Sequence, residues 1–522
     1  MKTDDRKRHC WECLRRSLVC DFTEPQCKRC VANGALCPGY GDKKPLRLNW
    51  MEPGRVKSKT RKSKKAEQRP QQKGLSPSPA STSSTSSVSS STSIPSSSLP
   101  KQKPNNSHEL SIAPSPFKTN EDACLDAIGY YNSAMHPILS RSRLRDHPGV
   151  YKIQPAHIKA GIARPDFVRL DIVCVALNHR MNSSQDEVLR QALAPTYYHF
   201  RGLILRSLHE AMSVEYSRKE NISVLIAGIL SLLLADAHQG ASPHWRLHLQ
   251  GIQELIALRG GLRAMSGPGV EPLLLCYAYV TVVGDTSTPA SELIMNTSLL
   301  AELDKILDVH GHKLYSFYPF PTPLFAAVVK INYLRAHAAI RLPDTTHNED
   351  LTSEAEDVLT RIASFDAETW SHSRHSGKED EIDSWTLLAR LMQAAVTIYC
   401  ISSLQSISIL PDSSALLLCR SANRKLLHAL LLKALEAHYF GGSLLWPLVV
   451  LGIDAGCDTM DMRAFIRNSL GRSVQNQGSY VPLMARGILE RYWTSGKTTW
   501  DECFDRPYAL ATQWTVNRRD LP

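Results

Sequence analysis

Three features that define large classes of proteins are not expected from the sequence: a membrane span in its most apolar stretch, a secretory leader and a common catalytic motif. Its most apolar stretch, residues 222–235, has 14 residues, whereas a transmembrane helix needs about 20, so we expect a buried helix and no membrane partner. The N-terminal segment MKTDDRKRHC is charged and has no apolar core, so no secretory signal is expected. GxSxG, HExxH, GxGxxG and Walker A sequences are all missing, so no enzymatic activity is predicted.

Cysteine, in contrast, is concentrated near the N-terminus in a regular pattern. Six cysteines have the spacing C-x2-C-x6-C-x6-C-x2-C-x6-C, namely Cys10, Cys13, Cys20, Cys27, Cys30 and Cys37. The pattern is a pseudo-repeat in which each half supplies three sulfurs. Two zinc ions need about four tetrahedral ligands each, so six sulfurs suffice only if two of them bridge both metals. Cys10 and Cys27 open the two halves and are the natural bridges, which predicts two Zn²⁺ per chain as the cofactor.

Disulfides and independent buried thiols are the alternative interpretations of these six residues. Disulfides require an oxidising compartment, which the lack of a secretory signal argues against. Independent buried thiols would not occur at such regular spacings in a segment with so few other apolar residues. The seven later cysteines show no pairing pattern and are interpreted as reduced core residues, namely Cys124, Cys174, Cys276, Cys400, Cys419, Cys457 and Cys503.

The positive charge of the chain lies in the same N-terminal region. The whole chain has a formal net charge of +11. Residues 1–75 contain 20 Lys and Arg against 8 Asp and Glu, a net of +12, so the remainder carries −1. A basic module beside a neutral bulk favours a polyanionic partner, because contacts to phosphates release counterions. An acidic membrane surface is the weaker alternative, since the basic run has no apolar helical face.

The segment CWECLRRSLVCDFTEPQCKRCVANGALC, which includes Pro25, resembles the fungal zinc binuclear-cluster transcription factors. This resemblance implies two halves folded around a zinc pair, each with a short helix and an extended strip. It also implies that the helix after Cys13 enters the major groove of double-stranded DNA and reads GC-rich half-sites. The expected protein is a zinc-dependent, sequence-specific regulator of RNA polymerase II genes. Its expected location is the nucleus, and the transcription machinery is an expected partner.

The predicted reading helix departs from the family pattern at one position. Family members usually carry two adjacent basic residues there; Arg16 fills the first position and Ser17 stands at the second. Because arginine can contact guanine O6 and N7 together and serine discriminates poorly, a CGG-like preference is expected to be weakened or altered. The residues expected to contact phosphate are all basic, namely Arg15, Lys28, Arg29 and a flexible arm of Arg6, Lys7 and Arg8.

Residues 46–118 are predicted to form a linker that is first basic and then rich in Ser, Thr and Pro. Its basic run is typical of a nuclear localisation signal or an extra phosphate-contacting strip, with a merely solvated linker as the alternative; it consists of Lys57, Lys59, Arg61, Lys62, Lys64 and Lys65. Residues 76–104 bury too little apolar surface to order, so disorder is expected to about residue 118. No heptad seam follows the cluster, so a homodimer is expected through the helical domain instead.

Residues 119–522 are predicted to form one large all-α domain behind a cluster module at 1–45. Helical spacing recurs at 385–406, 413–438, 444–456, 459–470 and 480–493, and the best strand-like pattern is AYVTVV at 278–283. One helix is expected to start behind Ser242 and Pro243 and to end at Gly260–Gly261. HWRLHLQGIQELIALRGG at 244–261 and LLWPLVVLGIDA at 444–455 resemble the helical regulatory domain that often follows the fungal zinc cluster.

The rival interpretation is a helical enzyme or ligand-binding protein whose cysteine cluster only tethers it to nucleic acid or a partner protein. His244 and His248 lie four residues apart, with His238 nearby, but spacing places no third ligand, so ordinary helix histidines are expected. Acidic-aromatic segments at 364–370, 379–385 and 500–508 could contact the transcription machinery. Surface loops that each anchor one aromatic residue are the preferred interpretation of these segments.

Overall fold

The structure is a computed structural model in which two parts of the chain are described. The N-terminal part comprises residues 10, 13, 20–23, 26–32 and 37. The helical part comprises residues 117–140, 150–184, 186–218, 222–240, 245–265, 269–340, 345–374, 379–437, 440–457 and 460–510. The predicted linker between the cluster and residue 117, including the basic run at 57–65, lies outside the described residues.

The chain divides into two compact units, Met1–Pro104 and Asn105–Pro522. In the first unit, the described residues contain one short helix, α1 (Lys28–Ala32), and all six cysteines of the cluster. Each cysteine is buried, and among the described residues of this unit the partly buried apolar side chain packed against the group is Phe22. A core that consists, in its described part, of six sulfurs and one aromatic ring depends on what the sulfurs bind for its fold.

The second unit is entirely helical over its described residues. Its first helices are α2 (Asn120–Tyr130), α3 (His136–Leu139), α4 (Pro155–Ile162), α5 (Asp166–Arg169), α6 (Asp171–Ser183), α7 (Glu187–Arg218), α8 (Ile222–His238) and α9 (Trp245–Arg259). Then follow α10 (Val270–Thr286), α11 (Thr297–His310), α12 (Leu314–Phe317), α13 (Thr322–Ile340), α14 (Thr345–Ala363) and α15 (Ala367–His372). The last are α16 (Glu379–Gln405), α17 (Ser414–Ala437), α18 (Leu445–Asp454), α19 (Met460–Gln477) and α20 (Val481–Ser495). The predicted all-α domain is confirmed.

The apolar stretch at 222–235 forms a buried helix, as expected. Every residue of α8 except Ser223 is buried. Gly228 lets α5 approach closely, because a Cβ there would lie 2.5 Å from the Phe167 ring. At the C-terminal end of α8, Asp236 accepts two hydrogen bonds of 2.6 Å from the Arg201 guanidinium of α7, which compensates its burial.

Helix α9 ends where its sequence predicts. Gly260 and Gly261 both have positive φ, 106° and 84°, and the Gly261 amide donates to the Ile256 carbonyl at 2.9 Å. This is the glycine-dependent end that satisfies the last carbonyls of a helix. The predicted start at Ser242 and Pro243 lies outside the described residues.

The strand-like segment AYVTVV does not form a strand. Residues 278–283 lie inside α10, where Ala278, Val280, Val282 and Val283 are all buried. The alternating apolar pattern of this segment indicates a strand wrongly, because α10 is covered on nearly every side and therefore has no amphipathic stripe. Glycine again allows the packing: a Cβ at Gly284 would lie 2.3 Å from the Trp245 ring.

One described helix segment, Ile382–Gln405, is long and apolar enough to cross a membrane by length and composition. Over an 18-residue window of this segment the mean hydropathy is 1.5, and 83% of the window is buried inside the protein. Neighbouring helices α14, α15, α17 and α18 pack against it. A central core helix of a large helical domain has the same length and apolar composition.

A buried polar network joins the C-terminal segment to the middle of the helical unit. The Arg335 side chain of α13 is fully buried and donates to the Asp501 carboxylate at 2.6 Å, the Tyr399 hydroxyl at 3.1 Å and the Thr288 carbonyl at 2.9 Å. Trp500 donates to the Thr286 carbonyl at 3.1 Å. These contacts hold the segment after α20 against the C-terminal end of α10.

The interpretation of the acidic-aromatic segments as surface loops with one anchor each is wrong for two of them. In 500–508, Trp500, Phe504 and Tyr508 are all buried, and Asp501 is the partner of Arg335. Segment 379–385 is the first part of α16, and its Trp385 packs edge-on to Trp370 at 5.8 Å. Segment 500–508 is buried against a partner, Arg335, that is far away in sequence, whereas segment 379–385 begins a long helix.

Candidate metal centre

The structure brings the six N-terminal sulfurs into one buried cluster. The Sγ atoms of Cys10 and Cys27 lie 3.6 Å apart, those of Cys10 and Cys30 3.7 Å, and those of Cys13 and Cys27 3.7 Å. Tetrahedral coordination with Zn–S bonds of about 2.3 Å would place neighbouring sulfurs about 3.8 Å apart. The spacing of the sulfurs therefore fits metal ions between them, and none of these cysteines forms a disulfide.

The sulfurs form two groups of four that share two members. One group is Cys10, Cys13, Cys20 and Cys27, and the other is Cys10, Cys27, Cys30 and Cys37. Within each group the sulfurs lie within 4.8 Å of one another. The shared members are Cys10 and Cys27, the two residues that open the halves of the pseudo-repeat. Six sulfurs thus supply two four-sulfur sites, which is the arrangement that a pair of bridged metals requires.

The two halves position their sulfurs in the same way. The amide of Cys13 donates to Sγ of Cys10 at 3.4 Å, and the amide of Cys30 donates to Sγ of Cys27 at 3.3 Å. A further amide, that of Cys27, donates to Sγ of Cys37 at 3.4 Å. Backbone donors of this kind stabilise negative charge on the sulfurs and fix their orientation, as the outer partners of metal ligands do.

Two further residues that the sequence did not point to support the cluster. Asp21 accepts the Lys28 amide at 2.9 Å and the Thr23 hydroxyl at 3.0 Å, which fixes the chain at the start of α1. Phe22 has a φ of 59°, an uncommon conformation for an aromatic residue, and packs against the sulfurs. The aspartate directly after Cys20 was the only signal for such a cap, and nothing in the sequence marks the backbone of Phe22.

The electrostatics of the cluster favour a bound cation. Burial raises the pKa of the Cys10 and Cys13 thiols and raises that of Cys30 to about 12, so burial opposes the thiolate form. A metal ion reverses this balance, since a coordinating thiol is deprotonated outright. All-sulfur, buried and four-membered sites are the donor set that Zn²⁺ prefers in structural sites.

Of the residues expected to contact DNA, the structure describes Lys28 and Arg29. Both lie on α1 and are exposed, whereas Cys30 on the same helix is buried in the cluster. The basic pair is therefore displayed beside the metal centre, where a phosphate could reach it. The other predicted contacts, Arg6, Lys7, Arg8, Arg15, Arg16 and Ser17, lie outside the described residues, as does Pro25.

Among the described residues, metal-binding geometry is found for the two cysteine groups. The expectation of ordinary helix histidines at His238, His244 and His248 stays a prediction. His238 is buried, and its Nδ1 lies 2.7 Å from the Ser479 hydroxyl. His244 lies outside the described residues. Of the later cysteines, Cys124, Cys174, Cys276, Cys400 and Cys503 are buried and unbridged, as expected for reduced core residues.

A cluster of six sulfurs that fits a zinc binuclear centre, followed by a large all-helical unit, is the organisation of a fungal transcription regulator. Residues 157–517 match the family model described as "Fungal specific transcription factor domain", and the chain belongs to this family. It is 35% identical, over 99% of its own length and 92% of the relative's, to the "Phomenoic acid biosynthesis cluster-specific transcriptional regulator" of Leptosphaeria maculans. No solved structure matches the chain.

Proposed function

We propose that this transcription regulator binds specific DNA sites through a dinuclear zinc cluster and acts on RNA polymerase II genes in the nucleus. The observation that carries the proposal is the pair of four-sulfur groups sharing Cys10 and Cys27. Two Zn²⁺ would satisfy both groups, and their binding would supply the folding free energy that so small a core lacks. The basic residues around the cluster supply the attraction for phosphates.

The helical unit is proposed to control this DNA-binding module. Family membership supports DNA and the transcription machinery as partners. The relative is named as specific to a biosynthesis cluster, and the similarity extends along almost the whole of both chains. We therefore infer that the genes under this chain's control also belong to a biosynthetic gene cluster. A binding selection on randomised duplex DNA with the full chain identifies the site, and matches beside such a cluster test the inference.

Arg16→Ala is expected to weaken binding to the selected site by roughly 1–3 kcal/mol and binding to random DNA much less. The reason is that a bidentate contact to guanine discriminates between bases, whereas a phosphate contact does not. Lys28→Ala is the matched control, because Lys28 is exposed beside the cluster and is expected to touch phosphate only. Fluorescence anisotropy on both duplexes measures the difference. Equal losses on specific and random DNA for Arg16→Ala would make Arg16 a phosphate anchor.

Replacing Lys57, Lys59, Arg61, Lys62, Lys64 and Lys65 by glutamine is expected to abolish nuclear import and to flatten the salt dependence of DNA binding. Each lost phosphate contact lowers the slope of log affinity against log salt by about 0.9. A variant with the five lysines changed to arginine keeps the charge and should keep both properties. Microscopy of the tagged chain and salt titrations measure them. If neither property changes in the glutamine variant, the run is only a linker.

A further inference from the structure

Helix α17 carries an apolar stripe on its exposed side. Leu427, Leu430, Leu431 and Ala434 bury the opposite side in the core. The stripe consists of five exposed residues: Ala415, Leu418, Ala422, Leu426 and Ala429. The two leucines are 72% (Leu418) and 46% (Leu426) exposed. At 100° per residue they lie within about 80° of one another around the helix, so they form one continuous face. A continuous, exposed apolar face on a soluble domain marks an interaction surface.

The stripe is symmetric about Ala422 in both spacing and residue type. Leucines stand four residues before and four after it, and alanines stand seven before and seven after it. Two copies of α17 crossing antiparallel at Ala422 would place Leu418 against Leu426 of the second copy, and Ala415 against Ala429. A closed dimer uses the same patch on both subunits, so it requires this self-complementarity. The small central alanine lets the two helix backbones approach closely.

The charges at the ends of the stripe fit the same arrangement. Asp412 lies ten residues before Ala422 and Lys433 eleven after it, and both are exposed. In the antiparallel pair, Asp412, two residues before α17, lies near the level of Lys433 of the other copy, at both ends of the contact. A parallel pair would instead bring each of Lys425 and Lys433 against its own copy, which is unfavourable. Charge complementarity therefore selects the antiparallel orientation.

We propose that a second copy of this chain docks on the Ala415–Ala429 stripe through a two-fold antiparallel contact between the α17 helices. This inference extends the proposed function, because it gives a regulator whose sequence predicts no zipper after its cluster a way to pair two DNA-binding modules. One helix pair buries less than the roughly 1,200 Å² of a stable interface, so the dimer is weak in solution. Paired half-sites on DNA strengthen it by raising the effective concentration of the second copy.

Sedimentation of the full chain without DNA tests the contact directly. The wild type should show a concentration-dependent monomer–dimer equilibrium, and Leu418→Glu should weaken it about a hundredfold, since two buried leucines are lost per dimer. Leu417→Glu is the matched control, because Leu417 is 50% exposed on the same helix but about 140° away from Ala422 around the axis. A wild type that stays monomeric, or equal effects of both variants, would overturn the proposal.

Charge exchange tests the orientation. Asp412→Lys and Lys433→Asp should each weaken the dimer, and mixing the two variants should restore it, because each then supplies what the other lacks. A mixture no stronger than either variant alone excludes the antiparallel pair. Binding of Leu418→Glu to a duplex with one half-site should match the wild type, while its advantage on paired half-sites disappears. If the wild type fails to bind any half-site, the proposed DNA-binding function is wrong, whatever sedimentation shows.

Discussion

Cys27→Ala is expected to remove both metals from the cluster and to abolish specific DNA binding, whereas Cys37→Ala should disturb mainly one metal. Cys27 belongs to both four-sulfur groups, while Cys37 belongs to one. Metal ligation of a structural zinc site contributes about 10–16 kcal/mol of folding free energy, so a module whose described core is this sulfur cluster is not expected to fold without it. Elemental analysis of the purified chains should give about two zincs for the wild type and near zero for Cys27→Ala.

Two comparisons sharpen this test. Cys10→Ala should match Cys27→Ala, because Cys10 is the other shared sulfur, and a loss no greater than that of Cys37→Ala would contradict bridging. Cys276→Ala is the matched control. Because Cys276 is buried in α10, its substitution should leave both metal content and DNA binding unchanged. One zinc per wild-type chain would contradict the dinuclear centre itself.

The grouping of sulfurs could be predicted because it depends on spacing alone. The repeat of two equal halves singles out Cys10 and Cys27 before any coordinate is known. The residues that support the cluster could not be predicted in the same way. Phe22 adopts its positive φ where it packs against the sulfur cluster, and no local propensity favours that conformation. The chemistry of the site is thus readable from the sequence, while the backbone around it depends on tertiary packing.

In the helical unit, too, local sequence predicts some features, while tertiary packing determines others. The C-terminal end of α9 and the burial of α8 follow from local signals: paired glycines and an uninterrupted apolar run. Segment 278–283 resembles a strand because a helix buried on nearly every side has no clear 3.6-residue apolar period. Segment 500–508 looked like a surface loop because its partner, Arg335, stands more than 160 residues earlier in the chain. Long-range pairing of polar groups leaves no trace in local composition.

Arg335→Met is expected to destabilise the helical unit by about 3–5 kcal/mol, because it leaves buried acceptors and the Asp501 carboxylate without their cation. Arg390→Met is the matched control. Its ion pair with Glu368 has side chains 53% and 49% exposed, and such pairs contribute only about 0–1 kcal/mol. Urea unfolding followed by circular dichroism measures both. Similar effects of the two variants would mean that the buried network does not hold the C-terminal segment in place.

The loss caused by Arg335→Met should also grow with pH, and Asp285 is the reason. Burial raises the pKa of Asp285 to about 7, while amides of Ile294 and Met295 and the charge of Arg335 oppose the rise. The folded chain therefore holds a proton there that the unfolded chain releases near pH 4, so this group's stabilisation falls as pH rises toward 7. Without Arg335 the pKa rises further and the fall continues above pH 7. The destabilisation caused by Arg335→Met should therefore be larger at pH 8 than at pH 6. The double variant Arg335→Met/Asp285→Asn should remove that difference. A pH-independent loss would show that Arg335 does not stabilise the Asp285 carboxylate.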